Sequence, residues 1–172
     1  QKTYVSLYII EFQGGTHPKI QPQLNQVLVR LDTIETGELR KRMEKVVPAS
    51  EFEKNFDTFG RVMLQGIYFD FNKWDLKPES KPTLDEIAAY MRKHPERRLH
   101  VVGHTDAVGT FEFNLKLSRN RAAAVVEALA REYGISTSRL TPNGVGPLAP
   151  IATNSTDDGR AKNRRVELVP QP

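Results

Sequence analysis

From residue 62 onward the apolar residues of the chain change period repeatedly, and this alternation limits the possible folds more than any single motif does. Val62 to Phe71 is an apolar run of strand length. Pro78 to His94 carries Leu84, Ile87, Ala88 and Met91 at the i, i+3, i+4, i+7 spacing of one helical face, and Pro95 stops it. Leu99 to His104 returns to strand character, with Val101-Val102 predicting burial on both faces. A turn from Gly103 to Gly109 leads into a long helix predicted from about Phe113 to Tyr133, with Gly134 as its stop. Leu140 to Gly146 reads as a short strand, Asp157 to Asn163 as a helical turn and Arg165 to Val169 as a closing strand. This order predicts an α/β or α+β sandwich with helices packed on one sheet.

The first part of the chain reads differently, and the boundary is placed between residues 65 and 66. Tyr4 to Ile10 and Val27 to Leu31 are strand candidates, separated by Gly14-Gly15, Pro18 and Pro22. Ser50-Glu51-Phe52-Glu53 has capping-box spacing and predicts a short helix that Gly60 ends. Residues 1–65 are thus a β-rich extension in which no chemistry is legible.

Composition excludes several functions. With no cysteine, the chain has no disulfide framework, Cys-ligated zinc or thiol nucleophile. No apolar run approaches the ~18 residues of a spanning helix, and Gln1-Lys2-Thr3 does not read as a leader peptide. The net charge of +4 is dispersed, its densest clusters being Arg97-Arg98 and Arg160 to Arg165. Nucleic-acid binding would need a basic stripe interleaved with stacking aromatics, and Tyr68, Phe69 and Phe71 instead fall in a predicted strand, where they read as core rather than as a sugar-stacking platform. A negatively charged polymer other than nucleic acid stays open.

The anomaly lies in the long helix. Leu117, Ala124, Val125, Ala128 and Leu129 form its apolar stripe, and Arg121 falls on the same stripe. A guanidinium aimed at the sheet must reach water, an internal carboxylate or a ligand, because an unpaired buried charge costs roughly 3–5 kcal/mol. Asp106 stands just past the strand ending at His104, beyond the carboxyl end where open sheets place ligands. Held apart, Asp106 and Arg121 match a zwitterion, carboxylate to its ammonium and guanidinium to its carboxylate. Alternatively, the two bond to each other.

The segment Asn114-Leu115-Lys116-Leu117-Ser118-Arg119-Asn120-Arg121-Ala122, continuing to Val125 and Leu129, resembles the Asn-x-x-Leu-Ser-x-x-Arg-Ala-x-x-Val-x-x-x-Leu signature of the OmpA-like peptidoglycan-binding domain. Three further blocks resemble that family in the same order. They are Tyr68-Phe69-Asp70-Phe71-Asn72 in the first strand, Gly103-His104-Thr105-Asp106 at the end of the second, and Gly159 to Glu167 near the C-terminus. The resemblance covers Gly66 to Val169 and says nothing of residues 1–65. It implies an α+β, βαβαβ-type two-layer sandwich on a mixed sheet, a domain over 66–172, and non-covalent binding of peptidoglycan through the diaminopimelate of its stem peptide. Asp106 would take the ammonium and Arg121 the carboxylate at the free end of that residue. Asn114, Leu117, Thr105, Asn72 and Arg164 match positions lining the same pocket. Trp74 is bulkier than the family pattern suggests. The implied setting is the Gram-negative periplasm, associated with the outer membrane. Peptidoglycan is the implied partner, with no enzyme activity, cofactor, metal or nucleic acid, and with membrane attachment only through a segment outside this chain.

Other residues invite rival readings. His104, Asp106 and Ser118 suggest a cell-wall hydrolase, but Ser118 lies mid-helix without a Gly-x-Ser-x-Gly elbow, and His104 reads as a buried sheet residue. His17, His94 and His100 are scattered, which argues against a histidine metal site. Asp157-Asp158-Gly159 lacks the alternating oxygen ligands of a calcium loop and reads as an acidic helix start. Of Arg164 and Arg165, strand alternation sends one to the pocket and the other to water. A third reading is a protein-interaction domain in which Asp106 and Arg121 form only an internal pair.

Overall fold

The computed structural model describes residues 4–11, 27–34 and 46–172, and the turn signals at Gly14-Gly15, Pro18 and Pro22 lie outside them. The chain divides into two compact units, Gln1–Glu44 and Lys45–Pro172. In the first, β1 (Tyr4–Glu11) and β2 (Val27–Ile34) pair antiparallel, from Tyr4 opposite Ile34 to Glu11 opposite Val27.

The second unit is an α+β sandwich on a mixed sheet, as the alternation of periods and the family resemblance together predicted. Its chain order is α1 (Phe52–Phe59), β3 (Val62–Leu64), α2 (Lys81–Lys93), β4 (Leu99–His104), α3 (Phe111–Tyr133), β5 (Leu140–Gly146), α4 (Asp157–Asn163) and β6 (Val166–Pro170). The sheet runs β3-β6-β4-β5. β4 and β5 are parallel, with α3 as their crossover, while β6 lies antiparallel to both β3 and β4.

The expected boundary at 65/66 falls inside this unit. Phe52, Phe56, Val62 and Leu64 are buried in the same core as Leu84, Ile87, Met91, Val101, Val125 and Leu168. The short helix therefore belongs with the sheet it covers. Its capping box does not form: no side chain caps it, whereas Gly60 ends it in left-handed backbone as expected.

Helix α2 buries the expected stripe of Leu84, Ile87, Ala88 and Met91. Past its end, Arg139 donates to the carbonyl oxygens of Met91 (2.9 Å) and His94 (2.6 Å), which the helix end leaves open, and to that of Arg97 (3.1 Å) in the turn beyond. Helix α3 begins two residues earlier than expected because the Thr110 hydroxyl accepts the Phe113 N–H. Gly134 ends it with φ 68°, and the Ile135 N–H returns to the Leu129 carbonyl. Helix α3 lies unusually close to the sheet. A Cβ on Gly103 would stand 2.0 Å from the Ser118 carbonyl oxygen, and one on Gly144 would stand 2.3 Å from the Arg119 nitrogen. Only glycine permits that approach, and it brings the Arg121 helix onto the carboxyl end of β4.

The predicted first strand is shorter than Val62 to Phe71. Pairing stops at Leu64, and Phe69 opposite Leu76 is an isolated bridge. Asn72 is left-handed (φ 56°) and the Lys73 N–H bonds to the Asp70 carbonyl, so residues 70–73 turn instead of extending. Phe71, expected in the core, is 85% exposed at this turn. Among the described residues no helix is long and apolar enough to cross a membrane.

Candidate functional site

The site forms where β4 ends. The His104 N–H bonds to the Arg165 carbonyl and the Thr105 N–H to the Gly146 carbonyl, so the strand end is fastened on both sides. Asp106 follows and is nearly buried. Its Oδ1 accepts the Val108 N–H at 3.0 Å, and its Oδ2 accepts from Arg164 Nη1 at 2.7 Å. Two further contacts set the turn: the Ala107 N–H donates to Asn154 Oδ1 and Asn114 Nδ2 donates to the Val108 carbonyl.

Arg121 reaches the same region from α3 and is 7% exposed. Its Nε donates to the Lys73 carbonyl at 3.0 Å, Nη2 faces the Asp70 carbonyl at 3.5 Å, and the guanidinium lies 4.9 Å above the Phe69 ring. Burial pulls its pKa below the usual arginine range, Arg164 pushes the same way, and Asp106 opposes. Among the described residues no carboxylate comes within ion-pair distance of Arg121. The Asp106–Arg121 pair of the third reading is therefore not formed; Asp106 bonds to Arg164 instead.

The structure brings most of the expected residues together. Thr105 is 4% exposed and its hydroxyl has no hydrogen-bond partner among the described residues. Leu117 is buried apart from the main core, one helical turn before Arg121. Asn114 is buried and occupied by the Val108 carbonyl, so it shapes the turn. Asn72 stands exposed on the turn whose carbonyls face Arg121. Arg164 reaches Asp106 while remaining about half exposed. It is delivered by α4, where the buried Asn163 accepts the Ile151 and Ala152 N–H groups and Thr156 caps the acidic first turn.

The other arginine corrects the alternation rule. Arg165 does not face water: its side chain is 8% exposed and its Nε donates to Glu167 Oε1 at 2.7 Å. Because β6 starts at Val166, neither arginine lies within the strand whose period was applied to them. Glu167, invisible to sequence reading as a buried acid, also faces His104 Nε2 and Arg61 Nε, each at 3.5 Å. Burial pushes its carboxyl up, but the His104 and Arg165 contacts prevail and hold it at about 2.

No hydrolytic triad assembles. Ser118 is fully buried; its hydroxyl donates to the Leu115 carbonyl and accepts the Gly146 N–H, which staples α3 to β5. His104 contacts Glu167, Asp106 contacts Arg164, and none of the three bonds to another. A groove between α3 and β5, lined by residues including Ala123, Val126 and Leu140, touches none of the expected site residues.

Comparison with known proteins identifies the family of the chain. The model of the OmpA family matches residues 68–164, more than half of the chain. An "Outer membrane protein A" of Bordetella avium is 43% identical over 126 residues, 73% of this chain and 60% of its own length. The chain spans 50% and 30% of two further curated relatives. Among solved structures, the peptidoglycan-associated lipoprotein from Burkholderia pseudomallei has a TM-score of 0.57 and 34% identity, over 61% of this chain and 88% of that one. The cell wall anchor of the T6SS from Pseudomonas aeruginosa has a TM-score of 0.55 and 27% identity, over 75% of this chain and all of that one.

Proposed function

Because the chain belongs to the OmpA family, we propose that it binds peptidoglycan non-covalently and anchors an envelope component to the cell wall from the periplasmic side. The names of two solved relatives, a peptidoglycan-associated lipoprotein and a cell wall anchor, support the coarse reading. The finer reading is recognition of the diaminopimelate end of the stem peptide. One observation carries it: Arg121 is a buried cation with no carboxylate in range among the described residues. A ligand carboxylate would supply the missing counter-charge, and the unpartnered Thr105 hydroxyl offers it a second donor. Asp106 would hold the ligand ammonium. A carboxylate accepts up to about four hydrogen bonds, and Asp106 uses two, so the Arg164 contact leaves room for a second cation. Arg164, half exposed, flanks the ligand; Asn114, Leu117 and Asn72 shape the walls. Binding of this kind needs no turnover, and Ser118 has no free hydroxyl with which to supply it.

Lysine-type stems lack the carboxylate that Arg121 would read, and an unpaired buried polar group discriminates more strongly than a missing methylene does. Calorimetric titration with diaminopimelate-containing and lysine-containing stem peptides should show at least about tenfold preference for the former. Equal affinities would overturn the assignment of Arg121.

A further inference from the structure

The turn that receives Arg121 also carries two aromatic rings directed away from the core. Phe71 is 85% exposed and Trp74 47% exposed, each next in sequence to a residue whose carbonyl faces the Arg121 guanidinium. Trp74 is the only tryptophan of the chain. Large rings left in water three residues apart on one turn forgo hydrophobic stabilisation, and such exposure marks contact surfaces. A third ring, Phe113, is 44% exposed on the face of α3 that continues through Leu117 to Arg121.

The chemistry between these rings indicates what covers them. The turn interleaves them with polar groups: Asp70, the left-handed Asn72 and Lys73. Asp70 is itself held by Lys77 Nζ at 3.2 Å and Lys73 Nζ at 4.0 Å. A lipid chain would strip water from these charges without replacing its hydrogen bonds. A protein partner of ordinary interface size needs some 20–30 residues a side, more than one turn presents. A pyranose suits the turn better. Its C–H face stacks on an aromatic ring, and its hydroxyl and acetamido groups meet hydrogen-bonding side chains at the edge. We propose that Phe71 and Trp74 form a sugar-stacking subsite for the N-acetylated glycan strand, beside the point where Arg121 and Asp106 hold the stem peptide. This inference rests on the peptidoglycan reading above and extends it from peptide to glycan.

The test compares two probes by calorimetry: a disaccharide muropeptide with a diaminopimelate stem, and the same stem peptide freed of its sugars. Phe71→Ala and Trp74→Ala should each weaken muropeptide binding about fivefold to tenfold and leave the free peptide unchanged. Trp74→Phe should retain most of the affinity. As the only indole, Trp74 should also change its fluorescence with the muropeptide and not with the free peptide. Equal losses on both probes would mean the turn merely seats Arg121 and would overturn the sugar subsite. No loss on either probe would overturn it as well. Failure of the wild-type protein to bind either probe would instead overturn the peptidoglycan reading on which this one depends.

Discussion

Arg121→Met separates a ligand-binding cation from a structural one, because the two roles predict different effects on stability. Methionine keeps most of the side-chain volume and its contact with Phe69 while deleting the charge. The deletion loses the hydrogen bond from Nε to the Lys73 carbonyl (3.0 Å), worth about 1 kcal/mol, and stacking over Phe69 (4.9 Å), worth about 0.5–2 kcal/mol. It also removes the desolvation penalty of a guanidinium that is 7% exposed and has no carboxylate in range among the described residues. Replacing a whole buried ion pair by apolar volume is commonly neutral or stabilising by about 1–4 kcal/mol, and a cation without a carboxylate partner forfeits no ion-pair attraction on removal. The terms nearly cancel, so stability should stay within about 2 kcal/mol of wild type. Binding should weaken: losing a charge-assisted contact of about 1.5–3 kcal/mol means a tenfold or greater loss of affinity. Urea denaturation and co-sedimentation with purified sacculi measure the two effects on one protein. Destabilisation of 3 kcal/mol or more, the range for breaking a buried ion pair, would refute the reasoning, as would unchanged sedimentation.

Two further outcomes follow from the framework that holds the site. Gly103→Ala should destabilise the second unit by about 3 kcal/mol, the upper end for overpacking, because its Cβ would meet the Ser118 carbonyl oxygen at 2.0 Å; a loss under about 1 kcal/mol in urea denaturation would show that α3 can shift. Burial raises the Glu167 carboxyl, but His104 and Arg165 override this and hold it at about 2, below the ordinary 4.5. Its contribution is therefore full above pH ~5 and lost as pH falls toward ~2, to the extent of about 3 kcal/mol. Glu167→Gln should remove that part of the acid slope, and identical pH dependence of wild type and variant would contradict it.

The fold was largely legible because its helices obey a strict period and carry their own stops. The stripe from Leu84 to Met91 and the glycine at 134 need no tertiary information. The Val62–Phe71 run misled because apolar composition alone does not distinguish a strand from a turn with exposed rings; the break depends on the left-handed Asn72 and on residues 70–73 closing on themselves. The boundary at 65/66 misled for a related reason. Phe52 and Phe56 reveal their allegiance only through the residues they pack against, and those lie far along the chain.

In the site, what could be read was position, and what could not was partnership. Arg121 was conspicuous because a cation on an apolar stripe breaks the pattern around it, and Asp106 because strand ends collect ligand groups. Their actual partners carry no sequence signature. The acceptors for Arg121 are the carbonyl oxygens of Asp70 and Lys73, which any residue would supply. Asp106 pairs with Arg164, which follows the last residue of α4, while the next residue, Arg165, bonds to the buried Glu167. That choice matters more than either residue alone. With Asp106 already paired to Arg164 but keeping acceptor capacity, Arg121 is the cation that lacks a carboxylate among the described residues, so on the proposed reading a ligand would meet two guanidinium groups and one carboxylate. If the proposed site binds as inferred, such a balance would favour a ligand that brings a carboxylate along with its ammonium over one that brings the ammonium alone.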